Sequence, residues 1–580
     1  MKLANSFGHC ASRLVVLSLL FIASSGYAQD HPPGRVARIS YLNGNVSFLP
    51  AGQDQWSQAT LNFVVTTGDR IYTDKDAKAE LEGGSYSVRL AGKTDVTVTQ
   101  IDDTVAQFAV GQGTVRFSVY QLPSDNTVEA DLPNAAISAV GTGQYRIDVD
   151  PDGEHTRVSV NSGRVDVASE TISQIVDAGQ AVELSGDEPA EIAQASVRDS
   201  DSFDRWAEER DQRLASSTSA KYVNTSVPGY EDLDSYGRWA NEADYGPVWY
   251  PTVAAGWIPY RYGHWAWIDP WGWTWIEDEP WGFCPFHFGR WVFVGAAWGW
   301  IPGPIAVTPI YTPALVAFLG GVGFSFGALD VVAWFPLGPD EPFFPWYHYD
   351  VEYLRVVNIT NIRNVTNITN ILSTGKVEQV HYRYRTLAAT AVPASVFSRG
   401  DPVAHHIVSV DPRNLATARV VPHPPVNPTV HATLPGRPVR PPPVRPVNFA
   451  VTRRAHGGRP DAATVRAAPV APAPVEPRAA APLPVPQSDQ RTTAVIPPRT
   501  APSRFVMRTP PPPPPVPFAQ RRRAMIEDPG RPLEPQQLGN LKAGRPAGPF
   551  VQREVPPHIA PRIPARPAAP PVRERPPNHG

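Results

Sequence analysis

Val36-Ala37-Arg38-Ile39-Ser40-Tyr41-Leu42-Asn43-Gly44-Asn45-Val46-Ser47-Phe48 is the stretch whose reading decides the fold. Ile39 and Tyr41, then Val46 and Phe48, alternate with polar residues on either side of Asn43-Gly44. The pattern predicts a hairpin closed by a tight turn that needs positive φ. The same period of two returns in Val88 and Leu90, Val96 and Val98, Val115, Phe117 and Val119, Tyr145, Ile147 and Val149, and Val158 and Val160, with Asp152-Gly153 and Ser162-Gly163 as turns. About ten short strands at this spacing predict a mainly β domain over residues 35–186, a sandwich or a barrel-like fold with one buried face per strand.

Gly68-Asp69-Arg70-Ile71, the turn and strand Gly111-Gln112-Gly113-Thr114-Val115-Arg116, Val140-Gly141-Thr142-Gly143-Gln144-Tyr145, Gly163-Arg164-Val165-Asp166-Val167 and Ala178-Gly179-Gln180 occur in that order. Together they resemble the FecR domain over about 150 residues. In that family's iron-uptake regulators the domain is periplasmic and passes a signal from an outer-membrane receptor to a sigma factor. The resemblance implies a sensing or interaction domain in the export compartment. Only 13 residues precede the apolar run that starts at Leu14, so the cytoplasmic sigma-binding segment of such regulators is expected to be missing.

Lys2 and Arg13, the apolar run Leu14 to Ala23, and Gly26-Tyr27-Ala28 before Gln29 read as a signal peptide over residues 1–28. The run is too short to cross a hydrocarbon layer of about 30 Å as a helix. Cys10 precedes it, so Cys284 is the one cysteine of the mature chain and an intramolecular disulfide is excluded. The expected location is exported: periplasmic, associated with the outer envelope, or secreted.

Residues 190–235 read as a helical connector, with Phe203, Trp206, Arg210 and Leu214 at helical spacing between Ser202 and Ala215. Residues 236–350 form the next unit. Its segment 236–303 holds 12 of the 16 tryptophans and repeats every 26 residues: Tyr236-Gly237-Arg238-Trp239, Tyr262-Gly263-His264-Trp265 and Phe288-Gly289-Arg290-Trp291. Tyr245-Gly246 and Trp271-Gly272 follow the period, and Trp298-Gly299 slips by one residue. A duplicated β-unit follows, with Trp239, Trp265 and Trp291 expected to be buried together. Period two at Trp265, Trp267, Trp271, Trp273 and Trp275 puts those rings on one face of a strand. That face is either the core of a small domain or a platform for sugar rings, and Trp267, Trp273 and Trp275 are the candidate ligand-binding residues. With Leu337-Gly338-Pro339 and Pro345-Trp346-Tyr347, the unit resembles an uncharacterised Trp-rich domain that often follows FecR domains in secreted bacterial proteins; the resemblance implies architecture and no activity.

Signals of chemistry are weak. Gly323-Phe324-Ser325-Phe326-Gly327 matches the nucleophile-elbow pattern, but Pro336 and Pro339 leave no helix to support it. Cys284 has Ile258 as its counterpart in the repeat and His287 and His264 have arginines, none of which would complete a metal site, so structural roles are expected and no metal. Glu277, Asp278 and Glu279 read as the cap of a solvated turn. No phosphate loop, dinucleotide fingerprint or zinc-protease motif is present, so no enzyme activity and no cofactor are predicted.

Residues 303–329 carry no charge, yet Pro304, Pro309, Pro313 and four glycines would break a membrane helix, which favours short buried strands. In residues 351–390, Asn358, Asn361, Asn364, Asn367 and Asn370 recur every third residue, a period that belongs to neither a helix nor a flat strand. Residues 391–580 contain 45 of the 67 prolines, with 26 Arg or Lys against 10 Asp or Glu, and read as a disordered, semi-stiff cationic tail. The rest of the chain is acidic by the same count, 26 basic against 45 acidic residues, so the chain could fold back on itself or bridge unlike partners. The composite expectation is a non-catalytic envelope binding or scaffold protein, or alternatively a periplasmic signalling component related to sigma-factor regulators. Its partners would be envelope proteins or anionic or glycan polymers, not nucleic acid, with no transmembrane span after signal cleavage.

Overall fold

The computed structural model describes residues 31–186, 191–320, 325–326, 329–362, 380–456 and 503–550. The expected signal peptide at 1–28, the later asparagines of the repeat (Asn364, Asn367 and Asn370) and the tail segments 457–502 and 551–580 lie outside the described residues.

The chain is mainly β, as its alternation predicts, with 17 strands between Ala37 and Ala195. They form two sheets around an aliphatic core that includes Val88, Val98, Phe108, Val115, Phe117 and Ile147. Strand Val105–Val119 runs through both. Its first half pairs with Asp95–Ile101 and Thr127–Asp131 in one sheet, and its second half with Tyr86–Leu90 and Gly143–Val149 in the other. The turn expected at Gly111-Gln112-Gly113 is therefore a bend inside one strand. Gly113 makes it at φ 93°, where an added Cβ would sit 2.4 Å from Thr94 Oγ1.

A second correction concerns Asn43-Gly44. Gly44 has φ 73°, as a tight turn requires, but the flanking strands do not pair with each other. Ala37–Asn43 pairs with Val64–Val65 and Lys78–Glu82, whereas Val46–Leu49 pairs with Ser57–Gln58 and Arg70–Thr73. The bend carries the chain from one sheet to the other. Period two sets which side chains face the core and leaves the neighbouring strand open.

The expectation of one buried face per strand also changes. Tyr86–Leu90 and Thr127–Asp131 are buried on both faces. Helix Ser202–Ala215 covers the outer face of the first sheet, which holds Tyr86–Leu90 and Gly143–Val149, and residues 503–509 lie on that of the second, which holds Asp95–Ile101 and Thr127–Asp131.

The 26-residue repeat is three hairpins: Gly237–Glu242 with Gly246–Pro251, Gly263–Ile268 with Gly272–Glu277, and Arg290–Val294 with Ala297–Ile301. Each pairs tryptophans across its strands, Trp239 with Trp249, Trp265 with Trp275 and Trp291 with Trp300. Glycine precedes the first Trp of each pair by two residues because the partner indole fills the space. A Cβ on Gly263 would lie 2.1 Å from Ile276 O and 2.9 Å from the Trp275 ring. The third hairpin has a loop one residue shorter, so the structural counterpart of Trp271-Gly272 is Ala296-Ala297, and Trp298-Gly299 is not its equivalent. Trp249 meets Trp300, joining the first and third hairpins into a four-stranded sheet, while the second stands apart.

Ser325–Phe326 pairs with Leu329–Asp330, a hairpin and not the strand-to-helix turn of a nucleophile elbow. No described helix is long and apolar enough to cross a membrane. The asparagine repeat opens on helix Val351–Ile359, where Asn358 is fully buried and donates to the Phe343 and Leu354 carbonyls. The sequence reading starts a disordered tail at residue 391, yet residues 391–456 and 503–550 are placed against the body. Thr390–Pro393 adds to strand Leu329–Pro336, and helices Phe518–Ala524 and Pro535–Lys542 follow later. Sparse apolar anchors in the proline-rich text explain this: Phe397, Phe505, Met507, Phe518 and Met525 are all buried. One hydrophobic cluster joins residues from Val36 to Leu533, so the units read from sequence share a core.

Candidate interaction surfaces

The outer face of the first sheet carries a row of arginines. Register places Arg116 opposite Arg89 on one neighbouring strand and opposite Arg146 on the other. Three adjacent guanidiniums repel one another unless anions intervene. Helix Ser202–Ala215 supplies them, capped by Asp201 with a reciprocal capping box through Asp204. Asp201, Asp204, Glu208 and Asp211 follow one another at helical spacing. Arg116 Nη1 lies 3.3 Å from Asp204 and 3.5 Å from Glu208, Arg89 Nη1 is 2.7 Å from Asp211, and Arg146 Nη1 is 2.6 Å from Asp204. Glu80, on the same row, pairs with Arg89 and Arg210, both at 2.5 Å. Burial alone would raise its carboxyl; Arg89 and Arg210 outweigh that and hold it well below the usual range.

The outer face of the second sheet has the opposite sign and is occupied by an extended segment of the chain itself. Strand Ser503–Met507 runs parallel to Val447–Arg454, and Val506 N–H donates to Leu132 O at 2.9 Å. Phe505 and Met507 pack on Ala109, and Val506 on Ala136 and Ala168. The Glu129 carboxylate accepts the backbone N–H of Arg508 at 2.8 Å and of Thr509 at 3.2 Å, and the Thr509 hydroxyl at 2.8 Å. Gln107 Nε2 donates to Thr509 O at 2.8 Å. Arg508 Nη2 reaches Asp166 at 2.9 Å, the two side chains being 3% and 8% exposed. Beside them, burial and then the charge of Glu129 push the Asp131 carboxyl well above its ordinary value.

The tryptophans named as ligand candidates are not a platform. Trp267 is 2% exposed and Trp273 and Trp275 are fully buried. The expected single row is split by the turn at Asp269-Pro270, and the rings meet across the hairpin: Trp265 with Trp275 and Trp267 with Trp273, each edge-to-face at 5.5 Å. Trp273 Nε1 donates to Val426 O at 3.0 Å, a residue of the expected tail. Trp265 and Trp291 are buried, but Trp239 is only half-buried and stacks on Tyr222 at 4.4 Å, so it sits at the edge of the cluster that holds the other two and the three are not buried alike. Glu277, read as a solvated cap, is buried; burial pushes its carboxyl well up, and Trp275 Nε1 donates to it at 2.9 Å. The open aromatic surface is a groove of about 430 Å³ lined by Arg238, Tyr250, Trp257, Phe293, Trp298 and Leu387.

Cys284 is buried with its thiol pushed well up by that burial. Burial holds His287 down to about 3, and its Nδ1 hydrogen bonds with Thr312 O at 2.8 Å, so the ring is neutral. His264 faces Asp278. Among the described residues no three potential ligands gather around a metal position.

Comparison with protein families matches residues 69–166 to the FecR protein family and residues 230–341 to DUF6600, a family of unknown function. The chain carries a FecR domain followed by a DUF6600 domain. The DUF6600 match takes in all three Trp hairpins, and the FecR match begins at Asp69 and ends at Asp166, the partner of Arg508. Among solved structures the chain is similar to two crystal structures of an anti-sigma-factor candidate from Parabacteroides distasonis ATCC 8503, at 1.65 and 2.50 Å resolution. Identities are 15% and 16%, with TM-score 0.20 in both, covering 22% of this chain and 59% of the other. The match thus spans little more than half of those chains. No curated protein matches.

Sequence reasoning located the FecR and DUF6600 domains and missed the charged residues that cover the FecR sheets. The signal was present: Arg89, Arg116 and Arg146 occupy outward positions of alternating strands, and four acids recur at steps of three and four from Asp201. Helix Ser202–Ala215 was instead read by its apolar stripe, of which Phe203 is buried.

Proposed function

We propose that this is a non-catalytic, exported envelope protein whose FecR domain is a peptide-binding module and whose DUF6600 unit is the scaffold that holds it. The observation that carries the reading is the second FecR sheet, whose outer face already holds an extended peptide segment by backbone hydrogen bonds, apolar contacts and one buried ion pair. Strand-like segments laid on a sheet are a general mode of protein recognition. A second reading, a periplasmic signalling component related to sigma-factor regulators, is favoured by the FecR match. Both place the protein outside the cytoplasm, with envelope proteins or anionic envelope polymers as partners.

The test is fractionation of cells expressing the tagged full chain, with mass spectrometry of its N-terminus and crosslinking in place. The expected result is a chain beginning at Gln29 in an envelope fraction, with a protein crosslink that weakens in Asp166→Asn. A cytoplasmic chain beginning at Met1, or no protein crosslink at all, contradicts the proposal. Signal transfer to a sigma factor would appear as altered transcription on deletion, and pure scaffolding would not.

A further inference from the structure

We infer that the outer face of the second FecR sheet is a receptor for an extended basic strand of a partner protein, and that residues 503–509 occupy it as a built-in competitor. The inference rests on the binding-module reading above and adds the site, the partner's chemistry and the means of regulation.

The contacts of this face are of two kinds. Those to the backbone are indifferent to side-chain identity: Val506 N–H to Leu132 O, the N–H groups of Arg508 and Thr509 to Glu129, and Thr509 O from Gln107 Nε2. Any strand in the same register can make them, together with the parallel pairing to Val447–Arg454 that flanks the docked segment. Those to side chains select. Small residues, Ala109, Ala136 and Ala168, leave shallow seats taken by Phe505, Val506 and Met507, and Asp166 forms a nearly closed socket for Arg508. The preferred ligand is thus three consecutive apolar residues followed by arginine and then a hydroxyl residue, in extended conformation.

Two features separate this cover from ordinary core. It arrives from more than 330 positions further along the chain than Asp166, after residues 457–502, and is followed at once by Pro510 to Pro515. Proline removes backbone donors, so the segment beyond Thr509 cannot extend the pairing and the docked piece stays short. Being tethered, the segment needs only modest intrinsic affinity to fill the site, because the tether supplies a high effective concentration. A partner strand of the same chemistry then gains access by exchange, and the docked segment sets the threshold.

The experiment uses the full chain and a fluorescent peptide of residues 503–516. In wild type the internal segment competes, so the peptide binds weakly. In Arg508→Ala/Val506→Asp, which weakens the internal segment and leaves the sheet intact, binding is expected to tighten at least tenfold. Adding Glu129→Gln/Asp166→Asn should abolish it. Should the arm-weakened variant misfold, two protease sites in the wild-type chain replace it, one inserted within 457–502 and one within Pro510 to Pro515, because Phe518 and Met525 anchor the rest of the tail in the core: after cleavage at both, excess peptide is expected to displace the short fragment that carries residues 503–509. Peptide binding that is equal in wild type and the arm-weakened chain, binding insensitive to Glu129 and Asp166, or a cleaved fragment that no excess of peptide removes would each overturn the inference. A concentration-dependent dimer that exchanges arms between copies would also overturn it, since the competitor would then be intermolecular. Failure here together with a retained envelope crosslink leaves the binding-module reading standing; loss of both removes it.

Discussion

The two outer faces of the FecR domain carry opposite charge, and each is covered by a segment of the opposite sign, but the covers differ in kind. Helix Ser202–Ala215 follows the last strand, Glu191–Ala195, by a short link, and its acids neutralise Arg89, Arg116 and Arg146. Arg116 is fully buried, so without the helix three guanidiniums would face one another and water at once. The arm on the other face comes from a distant part of the chain and is held largely through its backbone. If it leaves, Glu129 and Asp166 become hydrated carboxylates and the sheet keeps its core. The first cover is part of the fold and the second is a bound ligand that happens to be tethered.

The sharpest way to break this comparison is to remove the carboxylates that hold each cover in place. Asp204→Ala leaves the fully buried Arg116 with only Glu208, 3.5 Å away and 44% exposed, as its anion, and breaking a buried pair on one side costs about 3–5 kcal/mol. Its unfolding free energy should fall by that amount, read as a lower urea midpoint at an unchanged slope. Glu129→Gln/Asp166→Asn should lower global stability by less than about 1 kcal/mol, because the arm can detach and its charges return to water. Equal losses for the two variants would make the arm as integral as the helix.

A smaller difference is expected from salt. The screening length falls from about 10 Å at 0.1 M to about 3 Å at 1 M, and buried pairs are screened less than pairs that can open to solvent. Limited proteolysis between 503 and 516 should therefore accelerate at 1 M salt while cleavage within 202–215 stays slow. Acceleration at both sites, or at neither, would erase the distinction.

The smallest effect is a pH dependence of opposite sign on the two faces. Glu80, on the arginine face, has a depressed folded-state value, so its contribution is present above its ordinary value of 4.5 and is lost as the pH falls below it. The Tm gap between wild type and Glu80→Gln should narrow on acidification. Asp131, on the arm face, is raised by burial and by Glu129, so the folded state keeps a proton that the unfolded chain loses from about its ordinary 3.8 upward. Stability from this group falls as the pH rises, and Asp131→Asn, which is always neutral, should gain on wild type between about pH 4 and 7. A constant gap for either variant would contradict the assigned direction.

Much of this architecture is legible in the sequence, and the limits have physical causes. Alternation at Val88, Val98, Phe117 and Ile147 marks core positions because one face of a strand must be dry, and those residues are buried. It does not mark partners, which is why Asn43-Gly44 read as a hairpin and is a crossing between sheets. The 26-residue period exposed three equivalent hairpins, since each needs glycine where an indole from its own second strand packs. What the period could not show is what lies outside them: Phe318, Trp334, Trp346 and Phe397 close over Trp265, turning an apparent surface row into core. The arm was hidden for a related reason. Proline and arginine dominate its composition, while Phe505, Val506, Met507 and Arg508, which dock it, are four residues in a long polar text.

The most direct test of the account is native-state hydrogen exchange at the amides of Val506, Arg508 and Thr509 in the full chain. The prediction is protection of about tenfold or more in wild type, lost in Glu129→Gln/Asp166→Asn while the amides of Tyr86–Leu90 remain protected. Free exchange at those three amides in wild type, or protection that survives the double substitution, would contradict the claim that this sheet holds the arm as a ligand.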